Sequence, residues 1–453
     1  MRLDVARPSV NAYKRPACPM HIAFLTNEYP PLPSGGIGTN VRNLARTLVQ
    51  QGHRVTVLGW GAETQFDDQG VQVHFLGHTR IPKLGWFLNR RHAAREINRL
   101  VREEQLAIVE APDWCGMSAG LLPHPPPRFR PSAFNLRPLA FGFRIACPLV
   151  IRCNGSATYF AYLEKLQNRI TATSTEPHTL NVKPLVYWTE WLALHQTNGI
   201  IAVSQFCADT TATLFSLGGK VPGARCNAPT ITPISVIPNG IDVNQFAPAS
   251  QEEVEPDTIL YFGTLVRKKG VLDLPDIFNR VITQIPNARL RIVGRDNPDL
   301  RTGSPSIWEQ MRTAFSPSAR ARVEYLGVKP YSDVQQYVRR AAMCVFPSYA
   351  EALPLSWMEA MACAKPVIAY DIGWAVEVLG EASRLATSDS SSGVLVPGGD
   401  TTAFADAVVT CLRQPQLATE MGAWARQRVE RYFAAEVVAR QSVKWYDSVC
   451  RDA

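Results

Sequence analysis

The first apolar run of the chain, His21-Ile-Ala-Phe-Leu-Thr26, is short and unbroken, as a strand buried on both faces requires. A turn containing Pro30, Pro31, Pro33, Gly35, Gly36 and Gly38 follows it. The period then lengthens. Val41, Leu44, Ala45 and Leu48 share one helical face, with Thr39 placed to cap its start and Gly52 its end. Arg54–Gly59 returns to a strand pattern, so the chain opens as strand, glycine-rich turn, helix, strand. Further strand patterns fall at Leu106–Glu110, Pro148–Arg152, Gly199–Val203 and Ser235–Ile237, with an irregular arginine- and proline-rich insertion over Pro123–Pro148.

The alternation restarts after the acidic segment Ser250–Asp257. Strand patterns recur at Thr258–Phe262, Leu290–Val293, Val323–Leu326, Met343–Phe346 and Val367–Tyr370, and 423–449 reads as one long terminal helix. The predicted fold class is therefore α/β: two Rossmann-like units, 20–249 and 250–433, facing each other across a cleft. Residues 1–19 are expected to be a disordered extension, and 434–453 a helix that returns to the first unit. The expected site is the cleft, beyond the carboxyl ends of the strands.

Length and composition fit this division. A chain of 453 residues suits two cores, and 46% apolar with 19% charged residues is a globular balance. No window reaches the ~18 unbroken apolar residues of a membrane span, since Arg144 interrupts the longest candidate, Leu139–Ile151. Residues 1–19 carry four basic residues and no apolar run of the export-signal kind. The ten cysteines are scattered singly, without metal-ligand spacing, which with the missing export signal points to a reducing cytoplasm. All eight histidines precede Ile200, so chemistry in the second unit proceeds without imidazole. A net charge of +8 admits anionic substrates or an anionic membrane surface; nucleic acid is not expected, because no recognition module is present.

The densest chemical signal is Pro347-Ser-Tyr-Ala-Glu351-Ala-Leu-Pro-Leu-Ser-Trp-Met-Glu359-Ala-Met-Ala-Cys-Ala-Lys-Pro366. Pro354 suits the first turn of a helix running to about Ala364. The N–H groups of Leu353, Leu355 and Ser356 would then point out of the helix start and offer a seat for a diphosphate. Carboxylates beside such a seat repel phosphate, so Glu351 and Glu359 suit the hydroxyls of a sugar or ribose. Next is Tyr261-Phe-Gly263-Thr-Leu-Val-Arg267-Lys-Lys269-Gly270, a strand feeding a glycine and then a basic loop, with Gly294 ending the following strand. Third, Ser34-Gly-Gly36-Ile-Gly38 lets backbone approach a ligand closely. It departs from the dinucleotide fingerprint, because Val41 holds the third glycine's place and Gly59-Trp60 ends the second strand without an acidic residue.

Together these segments resemble glycosyltransferase family 4, the large group of retaining enzymes with the GT-B fold, and the likeness runs from Met20 to about Phe433. The resemblance implies a retaining glycosyltransferase that uses a nucleotide-diphosphate sugar, most simply a UDP- or GDP-sugar, with no cofactor and no metal. It implies that Glu351 contacts the sugar, Glu359 the ribose and Lys269 the diphosphate. Gly36, Gly38, Gly263, Gly294, Leu353, Leu355 and Ser356 are the expected donor cradle. The family's usual arginine directly after the first glycine of the basic segment is Thr264 here, and Arg267 is expected to reach the phosphates instead. Val236-Ile-Pro-Asn-Gly-Ile-Asp242 is similar to the family's link between domains, where Asn239-Gly240 suits a turn and Asp242 a pin. Two histidines common in the family near the transferred sugar are absent, and Asp113 and Asn154 stand at those segments as the remaining catalytic candidates.

The acceptor, a glycan, glycolipid or small molecule, is expected on the first unit. Basic residues cluster with aromatics over Arg80–Arg102 and Leu121–Lys183, among them Trp86, Phe87, Phe129, Phe134, Phe141 and Phe143, which suits peripheral docking on an anionic leaflet. The bland alternative is a solvated basic face over core aromatics. A sugar-nucleotide epimerase of the same fold and a catalytically silent binding protein are the rival readings. The paired glutamates argue against the first, while the missing histidines leave room for the second.

Overall fold

The computed structural model describes residues 19–32, 35–81, 84–124, 142–170, 182–217, 232–250, 253–384 and 391–452. The first unit is a sheet of eight strands. In chain order they are β1 (His21–Leu25), β2 (Arg54–Gly61), β3 (Thr64–Asp68), β4 (Val71–Gly77), β5 (Leu106–Pro112), β8 (Leu149–Cys153), β9 (Gly199–Ala202) and β10 (Ile234–Val236), with a short ribbon, β6 (Leu121–Leu122) and β7 (Phe143–Arg144), set apart. The spatial order is β10-β9-β8-β5-β1-β2-β4-β3, parallel except for the antiparallel edge strand β3. The second unit holds β11 (Thr258–Phe262), β12 (Arg289–Val293), β13 (Val323–Tyr325), β14 (Met343–Phe346), β15 (Val367–Asp371) and β16 (Gly393–Pro397) in the order β13-β12-β11-β14-β15-β16. In both sheets the order reverses beside the first strand of the unit, which opens a crevice at the carboxyl ends.

The predicted strands form, and five more appear, including β6 and β7 of the short ribbon. β3 and β4 are a hairpin whose outer strand is polar and mostly exposed, so it lacks the continuous apolar run of the interior strands. β16 closes the second sheet beside β15. Helix starts differ from expectation. The first helix begins at Gly36 with Gly35 as its cap, and the Thr39 hydroxyl donates back to the Gly35 carbonyl at 3.1 Å instead of capping. The helix after Glu351 spans Leu355–Ala362, with Pro354 just outside it.

The expected single helix over 423–449 is two helices, Pro415–Tyr432 and Ala435–Asp452. The break has a cause. Ile241 of the link donates to the Phe433 carbonyl at 2.8 Å and accepts from Ala435 N at 2.9 Å, so backbone hydrogen bonds leave the helix there. The last helix then lies on the first unit, where Val438, Ala439, Val443, Tyr446 and Val449 share a core with Ile22, Val41 and Leu44. Asp242 pins the link by accepting from Asn244 N and Gln245 N at 2.9 and 3.0 Å.

The expected 1–19 extension lies outside the described residues apart from Pro19, as does 125–141 of the expected insertion. Among the described residues no helix is long and apolar enough to cross a membrane.

Candidate active site

The cleft between the units has a volume of about 780 Å³. One wall is the Pro347–Leu355 segment, which carries the chain from β14 into the helix Leu355–Ala362. Leu353, Pro354, Leu355 and Ser356 line it, so the first N–H groups of that helix face open space without intrahelical acceptors. Glu351 sits in this wall, only 9% exposed, and the Lys269 ammonium meets its carboxylate at 2.6 Å. Each ion neutralises the other in a site that otherwise holds two desolvated charges.

Lys269 is placed by close backbone packing. Residues Arg267–Lys269 form one 3₁₀ turn that ends on Gly270 at φ +62°, where a Cβ would stand 1.7 Å from the Pro347 carbonyl oxygen. Only glycine fits there. The carbonyl of Lys268 accepts from Tyr349 N and Ala350 N at 2.9 and 3.1 Å, which ties the basic turn to the Glu351 loop. Gly263 and Gly294 also line the cleft, where a Cβ on Gly294 would fall 1.9 Å from the Gly263 carbonyl oxygen.

Glu359, on the same helix as the seat, is 4% exposed and accepts a 2.6 Å hydrogen bond from the Tyr331 hydroxyl. Burial pushes its carboxyl up to about 7, with the Tyr331 bond and the nearby Lys269 charge opposing. Val293, Arg295, Val328 and Lys329 continue this side of the cleft. These residues carry no motif that marks them as part of a site.

From the first unit come Gly36 and Ile37, at the start of their helix, together with Trp114, Asn154, Gly155 and Phe160. Gly38 is buried one turn in and does not line the cleft. Glu28 holds the Gly35 N–H at 2.9 Å.

Two more expected residues stand elsewhere. Arg267 is turned away from the cleft and makes two 2.6 Å bonds to Asp299, a carboxylate held well below its usual range by that guanidinium. Asp113 is fully buried and accepts from Asn154 N at 3.0 Å. Burial and the nearby Glu190 push its carboxyl up to about 8. It supports Asn154 from behind. Glu110 and Arg152, the sequence neighbours of these candidates, form a fully buried pair at 2.7 Å that also engages Tyr446 and Ser442 of the last helix and the Ile237 carbonyl. Arg152 thus fastens the link and the returning helix to β8 and β5. Among the described residues no group of three or more His, Cys, Asp or Glu side chains is placed to hold a metal.

Two parallel-sheet units facing a cleft lined by an open helix start, a lysine and two glutamates have the architecture of a GT-B glycosyltransferase. The comparisons agree with that class. The family described as "Glycosyltransferase Family 4" matches residues 34–245, and that described as "Glycosyl transferases group 1" matches 256–414. A glycogen synthase from Mycobacterium tuberculosis is 25% identical over 451 residues, 94% of each chain. An alpha-maltose-1-phosphate synthase from Mycolicibacterium smegmatis is 28% identical over 287 residues, 58% of this chain and 66% of that one. The sucrose-phosphate synthase of Thermosynechococcus elongatus superposes with a TM-score of 0.68 at 20% identity, covering 96% of this chain and 100% of that one. The chain belongs to the group 1 glycosyltransferases of family 4, and it is a sugar-transferring enzyme.

Proposed function

We propose that this glycosyltransferase takes a sugar from a nucleoside diphosphate, a UDP- or GDP-sugar, and transfers it with retention to an acceptor held by the first unit. The observation that carries this reading is the Lys269–Glu351 pair at 2.6 Å beside the open start of the Leu355–Ala362 helix. The diphosphate displaces Glu351 from Lys269 and seats on the N–H groups of Leu355 and Ser356, and the freed carboxylate accepts from the sugar's hydroxyls. The ribose lies toward Glu359 and the base toward Val293 and Val328.

In the transfer, the bond from the anomeric carbon to the diphosphate oxygen breaks while the acceptor oxygen bonds that carbon on the same face. The acceptor's proton passes to the departing phosphate. No protein nucleophile is required. Charge growing on the diphosphate is met by Lys269 and the helix start, which removes the need for a metal ion. Asn154, backed by Asp113, faces the acceptor side. Release of nucleoside diphosphate from a panel of nucleotide sugars tests the reading; no release from any donor, with or without acceptor, would refute it.

We place the enzyme in the cytoplasm, docked on an anionic membrane surface that presents a glycan or glycolipid acceptor. Ile81 and Leu84 are 50% and 57% exposed beside the exposed Arg80, Arg91 and Arg95, which supports the docking face. Other residues of the basic stretch are unavailable for it. Arg90 is sandwiched between Trp60 and Trp86 at 5.0 and 4.6 Å, and Phe87 packs on Phe143. Lys83, Phe129, Phe134 and Phe141 lie outside the described residues. Flotation with phosphatidylglycerol vesicles at low salt, lost in a Leu84→Ser, Arg91→Ser, Arg95→Ser variant, is the expected result; no association at low salt removes this part of the proposal.

A further inference from the structure

The basic turn Arg267–Lys269 is a 3₁₀ helix, in which successive side chains point about 120° apart. Three neighbouring cations therefore face three different surroundings. Arg267 is neutralised by Asp299, and Lys269 by Glu351. Lys268 points across the cleft to the first unit, where its ammonium lies 3.5 Å from the centre of the Phe160 ring. Among the described residues no carboxylate pairs with it. A ring face attracts a cation, yet it returns far less than water or a counterion would. Burial accordingly drives the Lys268 ammonium below its usual range, with Glu351 and Glu164 opposing. Lys268, Phe160 and the 38%-exposed Trp114 all line the cleft, with the Trp114 and Phe160 rings 6.3 Å apart. This patch stands opposite the donor seat, on the side left for the acceptor.

We infer that the acceptor carries a phosphate or carboxylate group, and that Lys268, resting on Phe160, is the residue that reads it. The inference rests on the donor arrangement proposed above. Donor diphosphate is the competing source of negative charge, but it is committed to Lys269 and the helix start. Lys268 faces the other wall, leaving one cation unmatched after the donor binds. An anion there would supply Lys268 with the counterion it lacks. The Trp114 indole beside it is suited to the apolar face of a sugar ring. The acceptor class is therefore an acidic sugar or a sugar ester of phosphoric acid, and neutral sugars are discriminated against because they would leave the ammonium unpaired.

The test fills the donor seat first. With a nucleoside diphosphate saturating the enzyme, inorganic phosphate is titrated calorimetrically into wild type, Lys268→Met and Lys268→Arg. One further phosphate site is expected in wild type, retained in Lys268→Arg and weakened at least tenfold in Lys268→Met, with the nucleoside diphosphate affinity the same in all three. In the transfer assay, hexose 6-phosphates and uronic acids are compared with the parent hexoses. The two anionic sets separate phosphate from carboxylate, and Lys268→Met is expected to raise the acceptor KM at least tenfold while the donor KM holds. The inference is overturned if phosphate does not bind once the diphosphate is present, if Lys268→Met binds it like wild type, or if parent hexoses serve as well as their charged counterparts. Failure of nucleoside diphosphate itself to bind is a different outcome, which overturns the donor arrangement and this inference with it.

Discussion

Replacing Glu359 by Gln should make the unliganded protein more stable above pH 7 and at the same time a poorer binder of donor. The side chain is buried, its carboxyl is raised to about 7 from an ordinary 4.5, and its hydrogen-bond partner is a neutral phenol, Tyr331. A carboxyl whose folded pKa is raised stabilises the fold in full below its unfolded value and loses that stability as pH climbs through the folded one. For Glu359 the window runs from 4.5 to about 7. The gap, at about 1.4 kcal/mol per pH unit, amounts to about 3 kcal/mol, because the ionised form must be held in a site built for a neutral one. Glutamine keeps the shape and the acceptor for Tyr331 but cannot ionise. Urea unfolding of both proteins at pH 5 and pH 8.5 should show near equality at the lower pH and a gain of up to about 3 kcal/mol for the variant at the higher. Donor binding should move the other way. In the proposed arrangement the carboxylate accepts from ribose hydroxyls, and losing charge-assisted hydrogen bonds worth about 1.5–3 kcal/mol weakens binding roughly 10- to 100-fold, with little change in kcat. Wild-type donor affinity should itself fall about tenfold per pH unit below 7, and that dependence should vanish in the variant. Equal stability of the two proteins at pH 8.5, or a donor affinity that keeps its pH dependence in the variant, would refute the argument.

Glu351→Gln and Lys269→Ala should each cut turnover by about 10²–10³, measured as nucleoside diphosphate release, since both act on charge or orientation at the reacting centre; near-normal rates in either would remove it from the mechanism. Arg267→Ala, by contrast, should leave kcat within about twofold, because its guanidinium serves Asp299 outside the cleft, while unfolding free energy drops by about 3 kcal/mol as a buried carboxylate loses its partner. A large fall in kcat with unchanged stability would return Arg267 to the donor site. Chelation with EDTA should leave the rate unaltered; loss that magnesium or manganese restores would show that a metal shares the diphosphate charge with Lys269.

Much of this enzyme is local and could be read from the chain. Continuous apolar runs such as Thr258–Phe262 have one stable home, the interior of a parallel sheet, and glycines followed by helix starts mark where a phosphate can approach. The cleft wall was legible for that reason: Glu351, Leu353, Leu355, Ser356 and Glu359 lie on one short segment whose geometry is set by its own loop and helix. The polar edge strand β3 was not legible, because an exposed strand needs no apolar run and is defined by its partner β4.

What tertiary structure alone decided is which way each charge faces. Arg267, Lys268 and Lys269 are three consecutive cations with equivalent local sequence claims on a phosphate. One turn of 3₁₀ helix sends them to Asp299, Phe160 and Glu351, residues between 32 and 108 positions away in either direction along the chain. Likewise Glu110 and Arg152 occupy the segments that carry Asp113 and Asn154, and are held as a buried pair where the last helix crosses back to bring Tyr446 and Ser442 against them. A side chain's composition states what it can bind; whether it is spent on the protein or left for a substrate depends on partners that only the folded chain brings within hydrogen-bonding distance, because electrostatic and hydrogen-bond energies fall away within a few ångströms of contact.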